Sequence, residues 1–376
     1  MNETDLLVSR VGHLGSIRLN RPKALNSLTF DMARGFSHAL DEFGLDTNIC
    51  AVLVTGEGER GLCAGGDIRE LHDLQGIERD AFKAFWREEY ELNARIASFP
   101  KPYVAVMDGI VMGGGVGISA HGNRRVATER TRLAMPETGI GFIPDVGGSW
   151  LLTRDGGAGV YMALSGVSVT GADAIHVGLA DLLIDSGDIP QLRQSLEEID
   201  SIEDVDLALS SLARTPGEGV LEKQEALLGA VMFRDRVEDI IGALVAERSE
   251  FARQAAGEIG RKSPTSLRLT HELLKRALSA DSLQSCLVNE FRVACRLLGS
   301  HDLVEGIRAA IIDKDRSPRW FPATLAQVED ETIAAMLQGT GDIEPAFRPW
   351  PAAAWRDWRG RPGEGFAARQ AERARR

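Results

Sequence analysis

Short apolar runs separated by helix-forming stretches recur through the first half of the chain. This alternation narrows the fold more than any other feature. Leu6-Leu7-Val8 and Ser16-Ile17-Arg18-Leu19 flank a turn at Gly12 to Gly15 and read as a hairpin. Thr29 and Asp31 offer N-caps for a helix to about Phe43, with Met32, Phe36, Leu40 and Phe43 at helical spacing. Ala51 to Thr55 is a short apolar strand stopped by Gly56. A second helix spans about Ile77 to Ser98; Pro100 and Pro102 end it, and Tyr103 to Val106 is another buried strand. A glycine cluster, a helix and the strand-like Arg125 to Thr128 follow. Strands alternating with helices predict an α/β layer fold.

The character changes after about Thr170. Ala172 to Gly178 reads as a short helix and Leu182 to Ile184 as one last strand, and from Pro190 the pattern is helical. The chain therefore divides into an α/β core over 1–190, a helical region over 191–338 and an irregular tail rich in Pro and Arg over 339–376. A length of 376 residues suffices for one large core or two modest ones.

Several function classes fall away on composition. A formal net charge of -12 argues against nucleic acid, whose phosphates need a basic surface. No apolar run is long enough to span a bilayer, and the first residues lack the pattern of a secretory leader. Cys50, Cys63, Cys286 and Cys295 show neither CxxC spacing nor nearby histidines, so we expect no metal site, reduced thiols and a cytoplasmic location. There is no GxSxG nucleophile elbow and no HExxH metal motif.

Two glycine clusters each follow an apolar strand: Leu62-Cys63-Ala64-Gly65-Gly66-Asp67 and Met112-Gly113-Gly114-Gly115-Val116-Gly117. At such junctions free backbone N–H groups and a helix dipole point at a ligand. Two N–H groups converging on one point form an oxyanion hole. The plainer explanation is that the glycines only permit tight turns and close packing. Gly115, Gly117 and Ala120 also fit a dinucleotide fingerprint, but not at the first strand of the chain, where that motif belongs.

Downstream, Met135-Pro136-Glu137 and Pro144-Asp145-Val146-Gly147-Gly148 set two carboxylates among glycines and apolar residues. Glu137 would suit a helix start and Asp145 a helix cap. Dry surroundings would instead raise both carboxyl pKa values toward those useful for acid–base catalysis.

Together, RLNRPKALNSLT (Arg18 to Thr29), AGGD (Ala64 to Asp67), MGGGVG (Met112 to Gly117) and MPE (Met135 to Glu137) resemble the crotonase superfamily in order and spacing. The resemblance implies a ββα spiral core with, here, a helical C-terminal region. It also implies a coenzyme A thioester substrate and an oxyanion hole from the N–H groups of Gly66 and Gly114. Enoyl-CoA hydratases of that superfamily use two glutamates; one aligns with Glu137, but the other falls at Gly117, which carries no acid or base. REEY (Arg87 to Tyr90), MPETGIGFIPDVGG and EGIRAAIIDKDRSPRW (Glu305 to Trp320) look like the 3-hydroxyisobutyryl-CoA hydrolases of valine breakdown.

That match implies substrate contacts at Glu89, Gly114, Glu137 and Asp145, with Glu137 as nucleophile or base and Asp145 as its acid–base partner. Read by itself, Glu89 is a charge on a polar helix face, and Lys314 and Arg316 are solvated helix ends. No cofactor is implied beyond the coenzyme A of the substrate. Crotonase cores often form trimers, so a homo-oligomer is allowed unless the helical region covers the surface a partner would use. The alternatives are an enoyl-CoA hydratase or isomerase and, from another class, an inactive acyl-CoA-binding module.

Overall fold

In the computed structural model, which describes residues 4–68, 79–339, 341–351 and 354, the expected hairpin opens the chain. Strand β1 (Leu6–Val11) pairs antiparallel with β2 (Leu14–Leu19). Helix α1 (Phe30–Leu45) starts where the side chain of Thr29 accepts the N–H of Met32, and it buries Met32, Phe36, Leu40 and Phe43. The chain then repeats one unit. A strand of the main sheet turns sharply into a three-residue strand of a second sheet, and further elements lead to the next turn of the spiral. The pairs are β3 (Ala51–Gly56) with β4 (Gly61–Cys63), β5 (Tyr103–Met107) with β6 (Ile110–Met112), and β7 (Arg124–Thr128) with β8 (Arg132–Ala134). Strand β9 (Leu182–Ile184) completes the main sheet, whose order is β1-β2-β3-β5-β7-β9 and which is parallel beyond the hairpin. The second sheet runs β4-β6-β8, also parallel. This is the ββα spiral.

Helix α2 (Arg79–Ala97) leads into the second turn, and α3 (Gly114–Ser119) follows the glycine cluster. The expected start of α2 at Ile77 lies outside the described residues. The chain continues through α4 (Gly148–Leu151), α5 (Gly157–Ser165) and α6 (Gly171–His176). The three-residue strands escape sequence reading because they are too short to show a period. They form because glycines let the turns stack: Gly109, at φ +64°, brings its backbone against Arg60 and Gly61.

The apolar runs of the main sheet are buried on both faces. Val52 and Val54 point into the principal core, while Ala51 and Leu53 point the other way with Val104, Val106 and Val126. That second face is covered by α7 (Ile189–Glu197) and α8 (Ile202–Leu212) through Leu192, Leu196, Val205 and Leu209. Each leucine buried there stabilises the sheet by about 1.5–3 kcal/mol. The helices that open the second half of the chain thus complete the core of the first.

Helices α9 (Glu225–Val231), α10 (Val237–Ala246), α11 (Glu250–Gly260), α12 (Pro264–Leu278), α13 (Leu283–Leu297), α14 (His301–Ile307) and α15 (Asp330–Met336) form the rest of the helical region. Of the tail, Trp350 is buried against Phe99 with the Arg95 guanidinium over its ring. Residues 355–376 lie outside the described residues. None of the four cysteines forms a disulfide among the described residues.

One buried ion pair fastens α8 to the sheet. Arg124 donates from Nε and Nη2 to the two carboxylate oxygens of Asp206, at 2.6 and 3.2 Å, and both residues are buried. Asp206→Ala leaves a buried guanidinium without its counter-ion and should cost about 3–5 kcal/mol in urea unfolding. The double change Arg124→Met with Asp206→Leu should cost far less, and equal losses in both would refute the ion-pair account.

Candidate active site

The two glycine clusters meet. The loop carrying Gly66 is pinned to the N-terminal motif by parallel pairing: Leu28 N–H donates to Gly65 O (2.9 Å) and Asp67 N–H donates to Leu28 O (3.0 Å). That pattern turns the Gly66 N–H away from Leu28. Asn26, in the left-handed region at φ +55°, locks the base of the loop by donating to the carbonyls of Glu57 and Gly61. Arg21 reaches Asp67 at 3.0 Å.

Gly114 is the first residue of α3, so its N–H lacks a partner within the helix. A methyl group on Gly114 would stand 3.4 Å from the Gly66 nitrogen and would overlap Glu89 Oε1. The two amides and the Glu89 carboxyl therefore crowd around one point that only glycine leaves open.

Helix α2 brings Glu89 there, and the polar-face explanation of this residue fails. It is 2% exposed, on a helix face shared with Phe85, Trp86, Tyr90 and Asn93. Glu137 opens a short 3-10 turn (Glu137–Ile140), as a helix-start residue would, but its side chain turns inward. Its Oε1 lies 2.8 Å from where a methyl group on Gly113 would sit.

Asp145 does not cap the following helix with its side chain. Its Oδ2 accepts the Tyr90 hydroxyl at 2.7 Å instead. The N–H groups that a cap would serve go to Glu290 of α13, which accepts from Gly147 N (2.7 Å), Ser149 N (2.9 Å) and the Ser149 hydroxyl. Between them Val146 sits at φ +52°, a conformation costly for a β-branched residue. It is held from the other side by His121, whose Nε2 lies 2.7 Å from Val146 O. Burial lowers the His121 pKa to about 4, so the ring is neutral and this nitrogen donates.

Glu89, Glu137, Asp145 and Glu290 are all buried, and none is paired with a cation among the described residues. Burial pushes the Asp145 carboxyl up to about 7 and Glu290 up to about 8, against the hydrogen bonds each accepts. Burial, with the Asp145 charge next, raises Glu89 and Glu137 well above the usual carboxylate range. Asp145 and Glu290 can thus exchange protons near neutral pH, and the two amides beside Glu89 can hold a negatively charged oxygen.

The five residues expected from the sequence thus converge. Lys314 and Arg316 are exposed in left-handed turn positions, as solvated groups. The sequence reading missed Tyr90, Asn93 and Glu290. The signal for two of them was a polar residue on an apolar helix face: Asn93 lies four positions after Glu89, and Glu290 sits among Cys286, Leu287, Phe291, Val293 and Ala294. Tyr90 gave no such signal, because an aromatic residue on that face reads as core.

Comparison with known proteins agrees with the architecture. The family model described as enoyl-CoA hydratase/isomerase matches residues 14–337. The chain is 41% identical over 340 residues to a protein of Danio rerio named 3-hydroxyisobutyryl-CoA hydrolase, mitochondrial, covering 88% of each. It is 38% identical to the protein of the same name from Gallus gallus, covering 90% of each. Among solved structures it is similar to one described as a carnitinyl-CoA dehydratase from Mycobacterium thermoresistibile. The TM-score is 0.85 at 45% identity, over 92% of this chain and 99% of that one. With a family match across most of its length and the ββα spiral in its structure, the chain belongs to the enoyl-CoA hydratase/isomerase family, the crotonases.

Proposed function

We propose that this protein hydrolyses a 3-hydroxyacyl-CoA thioester, with 3-hydroxyisobutyryl-CoA of valine breakdown as the foremost substrate and the cytosol as the compartment. One observation carries the reading: Glu137 and a Tyr90-anchored Asp145 are buried beside the amides of Gly66 and Gly114, while position 117 is glycine and offers no second glutamate. The names of the relatives that match along most of the chain support it.

The thioester carbonyl oxygen would sit between the Gly66 and Gly114 N–H groups, which hold the charge of the tetrahedral intermediate. Near neutral pH Asp145, raised to about 7, is the carboxyl that ionises first, and as base it takes the proton given up by Glu137 or by the attacking water. Glu137, beside Gly113, is the group that adds to the carbonyl or deprotonates the attacking water. Collapse of the intermediate breaks the C–S bond, and the departing thiolate takes the proton carried by Asp145. On the addition route water then cleaves the acyl–Glu137 anhydride, and on either route the net change adds one water and releases a free acid and coenzyme A. It uses these residues, the substrate and water.

A second reading, hydration or dehydration of the acyl chain, is favoured by the name of the Mycobacterium thermoresistibile structure. The assays separate them. Thiol release from 3-hydroxyisobutyryl-CoA should fall by about 10²–10⁴-fold in Glu137→Gln and in Asp145→Asn. No release by the natural protein, with crotonyl-CoA hydrated instead, would sink the hydrolase reading and leave the family intact.

The rate should rise with pH through about 7, where Asp145 titrates, because below that value both carboxyls are protonated and no base remains. A pH profile of kcat/KM that is flat from about 5 to 9 contradicts Asp145 as that base. Glu290→Ala should both lower kcat and destabilise the fold by roughly 2–5 kcal/mol, since two buried N–H groups lose their acceptor. Thermal unfolding and thiol release on one preparation check the pair of effects.

A further inference from the structure

Helices α2 and α3 cross in register. Glu89 lies over Gly114, and Asn93, one turn further along α2, lies over Gly117, one turn further along α3. A methyl group on Gly117 would stand 2.8 Å from Asn93 Nδ2 and 2.8 Å from the Val146 side chain. Residues four apart on a helix share a face, so Glu89 and Asn93 are neighbours there. Val146 directly follows Asp145, which sets the Asn93 amide beside the loop that carries Asp145.

Asn93 is fully buried, and both its Nδ2 and its Oδ1 lack a hydrogen-bond partner; so does Glu89 Oε1. Buried polar groups are almost always paired, and three orphaned atoms on one helix face inside an apolar site mark a place where a polar ligand group completes the pairing. The complement has a definite chemistry. One face offers an amide donor together with amide and carboxyl oxygens, between Leu28 on the Gly114 side and Val146 on the Gly117 side. A hydroxyl both accepts and donates, so it satisfies Nδ2 and one of the oxygens at once. A methyl or methylene in the same place would leave all three atoms unpaired.

We propose that Asn93, acting with Glu89, forms the subsite that takes the 3-hydroxyl of the acyl chain and sets a preference for hydroxylated thioesters. The assignment of that hydroxyl rests on the hydrolase reading above. A site that hydrogen-bonds a hydroxyl rejects the analogue lacking it by about 10⁴–10⁵-fold, whereas an apolar site separates the two only weakly. Asn93 is a specificity-determining residue on this account. It takes no part in proton transfer.

The test compares 3-hydroxyisobutyryl-CoA with isobutyryl-CoA, which differ by that hydroxyl alone. The ratio of kcat/KM for the two esters is measured in the natural protein, in Asn93→Leu and in Asn93→Asp. The ratio of dissociation constants is measured by calorimetry in a Glu137→Gln background, where the esters survive. Both ratios are taken on one preparation, so an unfolded fraction cancels. The expected result is that Asn93→Leu lowers each ratio by about tenfold or more, chiefly through the hydroxylated ester, and that Asn93→Asp, which keeps an acceptor and loses the amide donor, falls between. Ratios unchanged while both esters slow together would overturn the proposal and leave Asn93 a packing residue. If the natural protein releases no thiol from either ester, the hydrolase reading fails, and the binding ratio by itself still decides for or against Asn93.

Discussion

The close approach of α3 to its surroundings is the constraint on which the rest of the structure depends. Its first turn must admit the Gly66 amide and the Glu89 and Glu137 carboxyls, and its next turn must admit Asn93 and Val146. Side chains at these positions would push those partners apart. The spiral architecture makes the approach achievable, because each turn delivers one strand to the main sheet and one short strand to the second. Both glycine loops leave from that second sheet, and its strand pairing fixes their separation. Placing the amides on paired strands rather than on long loops gives the site a rigid base.

Burial then gives ordinary carboxyls unusual chemistry. A glutamate or aspartate in water is ionised at neutral pH and is a poor acid. Here desolvation, more than repulsion between the groups, raises Glu89, Glu137, Asp145 and Glu290 together. The Tyr90 hydroxyl pulls the other way on Asp145, which is why that group titrates near neutrality rather than far above it. One phenol from α2 thus tunes a carboxyl on a loop elsewhere in the chain.

Much of this was legible in the sequence. The hairpin, α1 and the strands of the main sheet follow from apolar period and caps, and the motifs around Gly66, Gly114, Glu137 and Asp145 named their own positions. What escaped was of two kinds. The strands of the second sheet have three residues each and carry no periodicity, so they exist only through pairing with one another. Glu89 was named only through the family resemblance, because by itself it looks solvated beside Arg87, Glu88 and Glu91; the packing of α3 shows that its face is dry. Asn93 and Glu290 were concealed for the opposite reason, as single polar residues in apolar stripes whose meaning depends on what lies opposite.

The reach of Glu290 has a consequence for how the protein comes into being on the ribosome. The loop it holds is made early, but the bond to Gly147 spans 143 residues of sequence. At typical synthesis rates this separation corresponds to about 7–30 s, during which the sheets of the first half can pair while the amides of Gly147 and Ser149 lack Glu290 as acceptor. Over that interval the strained Val146 turn is held from the His121 side and lacks its clasp to Glu290. A nascent chain can therefore pair its strands before the loop after Asp145 gains its last anchor, and a polypeptide cut short before Glu290 lacks that anchor.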